Sequence, residues 1–547
     1  MNNLSRRELL AAFLGLPVAI AGCQRQDTIA LPPGKLVGAS AGIGHRLRDG
    51  LQITVPEDRW EETGIAIIGG GMAGLSAARR LLQAGYDDFV ILELEPKPGG
   101  TSRSGSSKIV PYPWGAHYLP APPKENRALV ELLQELNVFE GTDDRGDPVV
   151  AEQFLCRDPQ ERVFYKGRWY EGLYLRAGAS DDDLQQLARF ESEIDRWVGW
   201  RDGDGRRAFA LPMATGSDDA EVTALDHVTM AEWLDVHRFT SPRLRWLIDY
   251  ACRDDYGLRS HQTSAWAGLF YFASRIREPG EDSRPFMTWP EGNGRIVEHL
   301  HKPVAKRTRL GAAVAEVIPT AADGETGVEV IAVNHDGSTA NGFRAQRAIF
   351  AAPHFLAPYL IRTYREERAQ HTAEFEYGAW AVANLTLKDR PIARGFAPAW
   401  DNVLYDSPSL GYVSATHQRG LDYGPTVLTY YYPLCGGDAR ADRERLLNLG
   451  RDEWAEVALA DLERAHPDIR EQAERVDVMR WGHAMIRPRP GFVWGAARRK
   501  AAEPYRGIHF AHSDLSGVAL FEEAFYRGIH AAEDVLMALG RDVETKL

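Results

Sequence analysis

The chain has 547 residues, 44% hydrophobic and 26% charged, an ordinary globular composition on a length that exceeds one small core. A net charge of −13 argues against a general nucleic-acid binder and favours a neutral or cationic small ligand. The four cysteines, Cys23, Cys156, Cys252 and Cys435, form no C-x-x-C pair, and no His, Cys or acid cluster has metal-ligand spacing, so neither a zinc site nor a dithiol centre is expected.

Residues 1–23 read as a targeting segment. Arg6 and Arg7 precede an apolar run from Leu9 to Ala21 that is too short to span a bilayer comfortably. The stretch SRRELL (5–10) resembles the twin-arginine export signal, and IAGC (20–23) resembles a bacterial lipobox in which Cys23 carries the lipid. Together they imply a periplasmic protein, exported by the twin-arginine route and held to a membrane by a lipid anchor at Cys23. Residues 24–61 then read as a polar, Pro/Gly-punctuated tether.

The apolar run 65–68 has the pattern of a parallel strand buried on both faces. Gly69, Gly71 and Gly74 follow as G-x-G-x-x-G. The first permits a tight turn, the second lets backbone amides reach a pyrophosphate, and the third allows close helix–strand packing. The spacing predicts a helix over 72–84 whose N-terminus, at Met72 and Ala73, offers free amides and partial positive charge to phosphates. A second strand over 89–92 ends at Glu93, nineteen residues after Gly74, where a carboxylate can accept bonds from ribose hydroxyls. Strand, turn, helix, strand and acid in this order point to a dinucleotide.

Gly99 and Gly100, then Thr101 and Ser102, stand just beyond Glu93. This spacing resembles the E-x(6)-G-G element of FAD-containing oxidases and desaturases, in which the chain doubles back along the pyrophosphate. At the other end, 508–511 reads as a short strand, followed by Asp514, Gly517 and a helix whose Phe521, Phe525, Ile529, Ala532 and Leu536 keep helical spacing up to Gly540.

The two ends together resemble the flavin amine oxidase and phytoene desaturase superfamily. Phe510, Ala511, Asp514, Gly517, Glu522, Ala524 and Gly528 match its C-terminal signature, while His512 and Glu523 replace usual glycines. PYPWGAHYLP (111–120) is similar to the family segment beside the flavin ring, WPEGNGRIVEHL (289–300) to its P-x-G helix start, and RLGAAVAEV (309–317) to the strand whose Val314 backbone meets adenine. The resemblance implies an α/β fold: a glutathione-reductase-like FAD-binding Rossmann domain with an inserted α+β substrate domain. It implies a discontinuous FAD domain over 62–120, 288–375 and 475–547, with 121–287 and 376–474 forming the substrate domain. Asp514 would bond the ribityl or pyrophosphate region, and Ala519 and Leu520 would present the last helix's N-terminus to the flavin. With no cysteine at the usual attachment position, FAD would be bound non-covalently.

The family's lysine near flavin N5 has no counterpart; the matching position is Asn384. The paired tyrosines of some members are also absent, with Leu520 and Met485 near those positions. His117, Arg103, His483 and Arg487 are the candidate polar groups, with His117 either an acid/base or a backbone-bonding ring, and Trp481 a wall of the site. The serines of SDLSG (513–517) form no G-x-S-x-G elbow, which excludes a serine hydrolase of that kind. The expected function is an FAD-dependent oxidoreductase that oxidises a small-molecule amine by hydride transfer to N5 and passes electrons to oxygen or another acceptor. A desaturase or isomerase of an isoprenoid-like lipid, and a non-catalytic FAD-binding partner protein, are the alternatives.

Overall fold

The computed structural model describes residues 30–547 except 39, 52, 323 and 324, so the expected export signal and Cys23 lie outside the described residues. Two β-sheets organise the unit Pro32–Leu547.

The first sheet is built on strand Trp60–Ile68, which runs parallel to Phe89–Glu93 on one side and to Ala340–Phe350 on the other. Its tip is wholly apolar because both faces are covered. Ile65 and Ile67 pack toward helices Met72–Gln83 and Phe521–Ala538, while Ala66 and Ile68 pack with Val90, Val330 and Phe343 on the opposite face. Strand Ile508–Phe510 pairs with the end of Ala340–Phe350, so the C-terminal segment completes a sheet begun by the glycine-turn strand. Thr308–Leu310 lies beside Phe89–Glu93, and Ala312–Ala322, Glu325–Asn334 and Ala340–Phe350 form an antiparallel meander.

The second sheet has eight strands. At its centre Tyr377–Leu387 lies antiparallel to both Thr426–Leu434 and Ala473–Ile486, and it continues through Gly411–Ser414 and Asp401–Leu404 to Glu161–Tyr165 and Arg168–Glu171. The domain boundary expected at 475 therefore falls inside a strand of this sheet. A helical layer adjoins it. Ser180 and Asp183 form a capping box at the start of Asp181–Gly199. Ser241 caps Pro242–Tyr256, with Pro242 at the first helical position and Gly257 (φ 60°) in the left-handed conformation past its end. The helical run after Ala439 breaks at Gly450 into Ala439–Asn448 and Arg451–Glu463. Among the described residues no helix is long and apolar enough to cross a membrane.

The tether expected over 24–61 is built into the fold from Leu36 onward. Leu36–Gly38 adds a parallel edge strand against Val478–Arg480, and the helix Ala41–Arg48 follows. Ile43 is buried with Ala313 and Val333, so these polar-looking residues cover the outer edge of the meander.

Candidate functional site

The glycine turn and the double-glycine loop face each other. The Gly99 amide donates to the Gly70 carbonyl at 2.8 Å, and a Cβ on Gly100 would lie 3.6 Å from the Gly71 Cα. Gly69 turns with φ 105°. A Cβ on Gly74 would lie 1.9 Å from the Gly69 carbonyl oxygen, so the helix can approach the strand only without a side chain there. A Cβ on Gly71 would meet nothing within 4 Å. That open space lies at the N-terminus of Met72–Gln83, where Met72 and Ala73 are buried and no side chain caps the helix. Its first-turn amides are thus available to a ligand.

Glu93 closes this cradle from the second strand. Its carboxylate accepts the Gly70 amide at 2.6 Å and the Glu95 amide at 2.8 Å, so it fixes the turn itself, and burial raises its pKa against these two bonds. Glu93→Ala removes both anchors and any ribose contact. It is expected to weaken FAD retention tenfold or more, read by titrating apoprotein with FAD; unchanged retention would count against this cradle. Arg103 adds positive charge: one nitrogen lies 3.3 Å from Glu95, while Nε and Nη2 are buried without partners. An open glycine cradle, an uncapped helix N-terminus and a guanidinium with two unpartnered nitrogens fit a pyrophosphate.

Gly100–Ser102 leads on to the segment expected beside the flavin ring. The Ala116 amide donates to the Thr101 carbonyl, and the Trp114 amide to the Arg103 carbonyl, both at 3.0 Å. Ser102 is buried, and Thr101 is exposed. Trp481 from the second sheet donates to the Trp114 carbonyl at 2.7 Å and lies 5.1 Å from the Arg103 guanidinium. Val314 sits half-buried before a bulge in Ala312–Ala322, the strand that follows Thr308–Leu310 in the chain. Ala519 and Leu520 are half-buried at the N-terminus of Phe521–Ala538, which also carries no side-chain cap.

His117 faces an aromatic enclosure. Its ring stacks on Tyr431 (4.8 Å) and lies 5.4 Å from Trp400 and 5.2 Å from Tyr118. Burial lowers its pKa to about 4, so it is neutral near pH 7. Its Nδ1 lies 3.1 Å from the Gly115 carbonyl, which assigns the proton to Nδ1 and leaves Nε2 as an acceptor.

The other candidate polar groups have different tasks. Asn384 is buried. Its amide donates to the Pro113 carbonyl at 3.1 Å and accepts from the Thr429 hydroxyl at 2.7 Å, so it ties the second sheet to the flavin-side segment. Arg487 is buried between Glu376 (3.2 Å) and Asp442 (3.1 Å) and also donates to the Leu434 carbonyl, a bracket rather than a free cation. His483 is exposed and stacks on Phe355 at 4.1 Å. Asp514, expected on the ribityl or pyrophosphate region, accepts the Tyr377 hydroxyl (2.6 Å) and the His354 amide (3.0 Å) and pairs with His512 (2.9 Å). Burial opposes its charge, but these donors prevail and its pKa is lowered. It links the two sheets at the point where they meet.

The aromatic side chains Tyr431 and Trp400 were not singled out by the sequence, because Tyr431 sits in an apolar strand whose register alone sets which way it points. Asp254 of the helix Pro242–Tyr256 and Asp401, the register partner of Glu161, lie near enough to Tyr431 for their charges to act on it.

Comparison with known proteins places these features. A provisionally named flavin-containing monoamine oxidase of Mycobacterium tuberculosis, AofH, is 26% identical over 179 residues, a match that spans 32% of this chain and a third (33%) of that relative's length. A double mutant of putrescine oxidase superposes with a TM-score of 0.63 at 18% identity, covering 87% of this chain and all (100%) of that one. Cyclohexylamine oxidase from Brevibacterium oxydans gives 0.60 at 17%, covering 88% and 100%. At these identities the structural likeness is one of fold, a mixed α/β fold. The model of the family described as flavin containing amine oxidoreductase matches residues 72–536, from the helix after the glycine turn to the last helix. The chain belongs to the flavin-containing amine oxidoreductase family, with FAD as its cofactor.

Proposed function

We propose that the protein oxidises a small-molecule amine at the carbon next to nitrogen. The observation that carries this reading is the aromatic enclosure of His117, Tyr431, Trp400 and Tyr118, fastened to the cofactor loops: the Tyr431 hydroxyl donates to the Gly115 carbonyl at 2.9 Å, one residue from the amide that Thr101 holds. FAD, when bound, would supply the two-electron acceptor for the amine's oxidation to an imine. The residues do the rest. Glycine turn, helix N-terminus and Arg103 hold the pyrophosphate. The aromatic rings exclude water and favour an amine through their π faces. Neutral His117 offers Nε2 as an acceptor for an N–H of the bound amine, which keeps the lone pair directed for oxidation. An isoprenoid-like lipid is less suited to this place, because it would lie against ionisable carboxyls with nothing to offer them.

The electron acceptor, oxygen or another, belongs to the same proposal, as does location. The twin-arginine and lipobox patterns support export of a folded, FAD-loaded protein and anchoring through Cys23. The test is anaerobic mixing of the purified protein, lacking residues 1–23, with a panel of amines. Bleaching of the flavin absorbance by one amine class is the expected result. A flavin spectrum that no amine bleaches would overturn the reading.

A further inference from the structure

The turn ahead of the last helix rests on two guanidiniums. The Leu515 carbonyl accepts from Arg498 Nη1 and, at 2.7 Å, from Arg527 Nη2, so the two cations meet at one oxygen. A carbonyl has two lone pairs, and both are taken. Arg498 is buried and also donates through Nε to the Val493 carbonyl. Its stem runs along the turn: a Cβ on Gly517 (φ 82°) would lie 3.1 Å from the Arg498 Cδ. Arg527, half-buried, belongs to the helix Phe521–Ala538 but leans back past its start, as helical side chains do, and its Nε donates to the Ser516 hydroxyl at 3.0 Å.

Among the described residues, the hydrogen-bond partners of both cations are carbonyl and hydroxyl oxygens, and none is a carboxylate. Like charges held on one oxygen repel, and withdrawn from water they need an anion. Burial, with Arg527 and Arg499 nearby, lowers the pKa of Arg498 to about 9, which leaves it charged at neutral pH. The acid whose charge acts on both guanidiniums is Glu523, fully buried and accepting the Met213 amide at 2.6 Å. Burial raises the pKa of Glu523, so it offsets the pair only in part; Asp226 acts on Arg498 as well, and burial raises its pKa to about 6. The pair therefore lacks a full counter-charge. It stands beside the uncapped N-terminus of Phe521–Ala538, which adds partial positive charge of its own.

We infer that Arg498 and Arg527 are positioning residues for bound FAD, which fix the turn Ser513–Leu520 and, through their unanswered charge, favour the cofactor's reduced form. The inference rests on FAD as the cofactor and on the last helix facing its ring, and not on which substrate is oxidised. Two electrons and one proton leave a reduced flavin ring with one net negative charge, so a cation nearby stabilises that form over the oxidised one. In turnover the electrons and the proton come from the substrate; in the test below they come from a chemical reductant and from water.

FAD-loaded protein is titrated anaerobically with dithionite beside a reference dye of known potential, and the reduced-to-oxidised ratio of the flavin is read against that of the dye. Arg527→Gln and Arg498→Gln are each expected to lower this ratio about tenfold, equivalent to about 30 mV for a two-electron couple. Arg527→Lys keeps the charge and loses the fork, so its ratio should stay within about threefold of wild type. The thermal midpoint of each loaded variant is measured in parallel. A structural clamp alone predicts that the midpoint falls in the Lys and Gln variants alike while the ratio holds. A wild-type ratio in the Gln variants with FAD still bound overturns the inference, and so does a fall in Arg527→Lys as large as that in Arg527→Gln. Should Arg498→Gln not fold, the two Arg527 variants decide, because Arg498 then still holds the Leu515 carbonyl. No amine enters the measurement, so its outcome is separate from that of the oxidation reading.

Discussion

Gly71→Val yields a folded protein that no longer retains FAD. The expectation follows from two properties of this position. Its φ of −74° is open to any residue, so the turn does not require glycine for backbone reasons. The space around its missing side chain is empty to 4 Å, so the protein's own packing does not require it either. What remains is the ligand: a valine would fill the open volume at the helix N-terminus that a pyrophosphate would need. The predicted loss of affinity is about 100-fold or more, equivalent to roughly 3 kcal/mol, measured by titrating apoprotein with FAD. The thermal midpoint of the apoprotein should shift only slightly, since valine in place of glycine before a helix costs about 1 kcal/mol. Retention of FAD at full stoichiometry would mean that the pyrophosphate lies elsewhere. Gly74 provides the contrast, because any side chain there collides with the Gly69 carbonyl and damages the fold itself.

The second large effect is on stability. Arg487→Leu removes the cation that Glu376 and Asp442 share, and Asp442 is itself buried. Breaking a buried pair by deleting one partner costs about 3–5 kcal/mol, because the remaining charge is left unanswered. Arg489, 3.7 Å from Glu376, answers only part of the deficit. Arg487→Lys should recover a fraction, as a single ammonium cannot fork between two carboxylates and a carbonyl. Denaturant unfolding of both variants measures this. A loss below about 1 kcal/mol in Arg487→Leu would show that the bracket contributes little.

What the sequence disclosed follows from distance along the chain. The strand, glycine turn, helix and Glu93 are local, and each residue's demand on the backbone is visible within a few positions. The same holds for Ser180, Ser241 and Gly450, whose capping and breaking roles act on their own helices. Arg487, Asn384 and Asp514 resemble reactive groups in sequence because their partners lie far away: Asp442, Pro113 and Tyr377 come to them only through the folded sheets. The pairing of Glu161 with Asp401 was hidden most completely. Glu161 and Asp401 stand 240 residues apart and become neighbours only through strand register, a property that no local pattern encodes. The residues before Trp60 misled for another reason, since three residues of edge strand carry almost no periodic signal.

That short edge strand also sets an order of events. Leu36–Gly38 pairs with Val478–Arg480, and the glycine-turn sheet receives its last strand at Ile508–Phe510. During synthesis, the beginning of the body must therefore wait for more than 400 residues before its partner leaves the ribosome. Both sheets become whole only when the chain is almost finished. Assembly is in this sense closed from the end, and a nascent fragment of this protein has no means of completing either half alone.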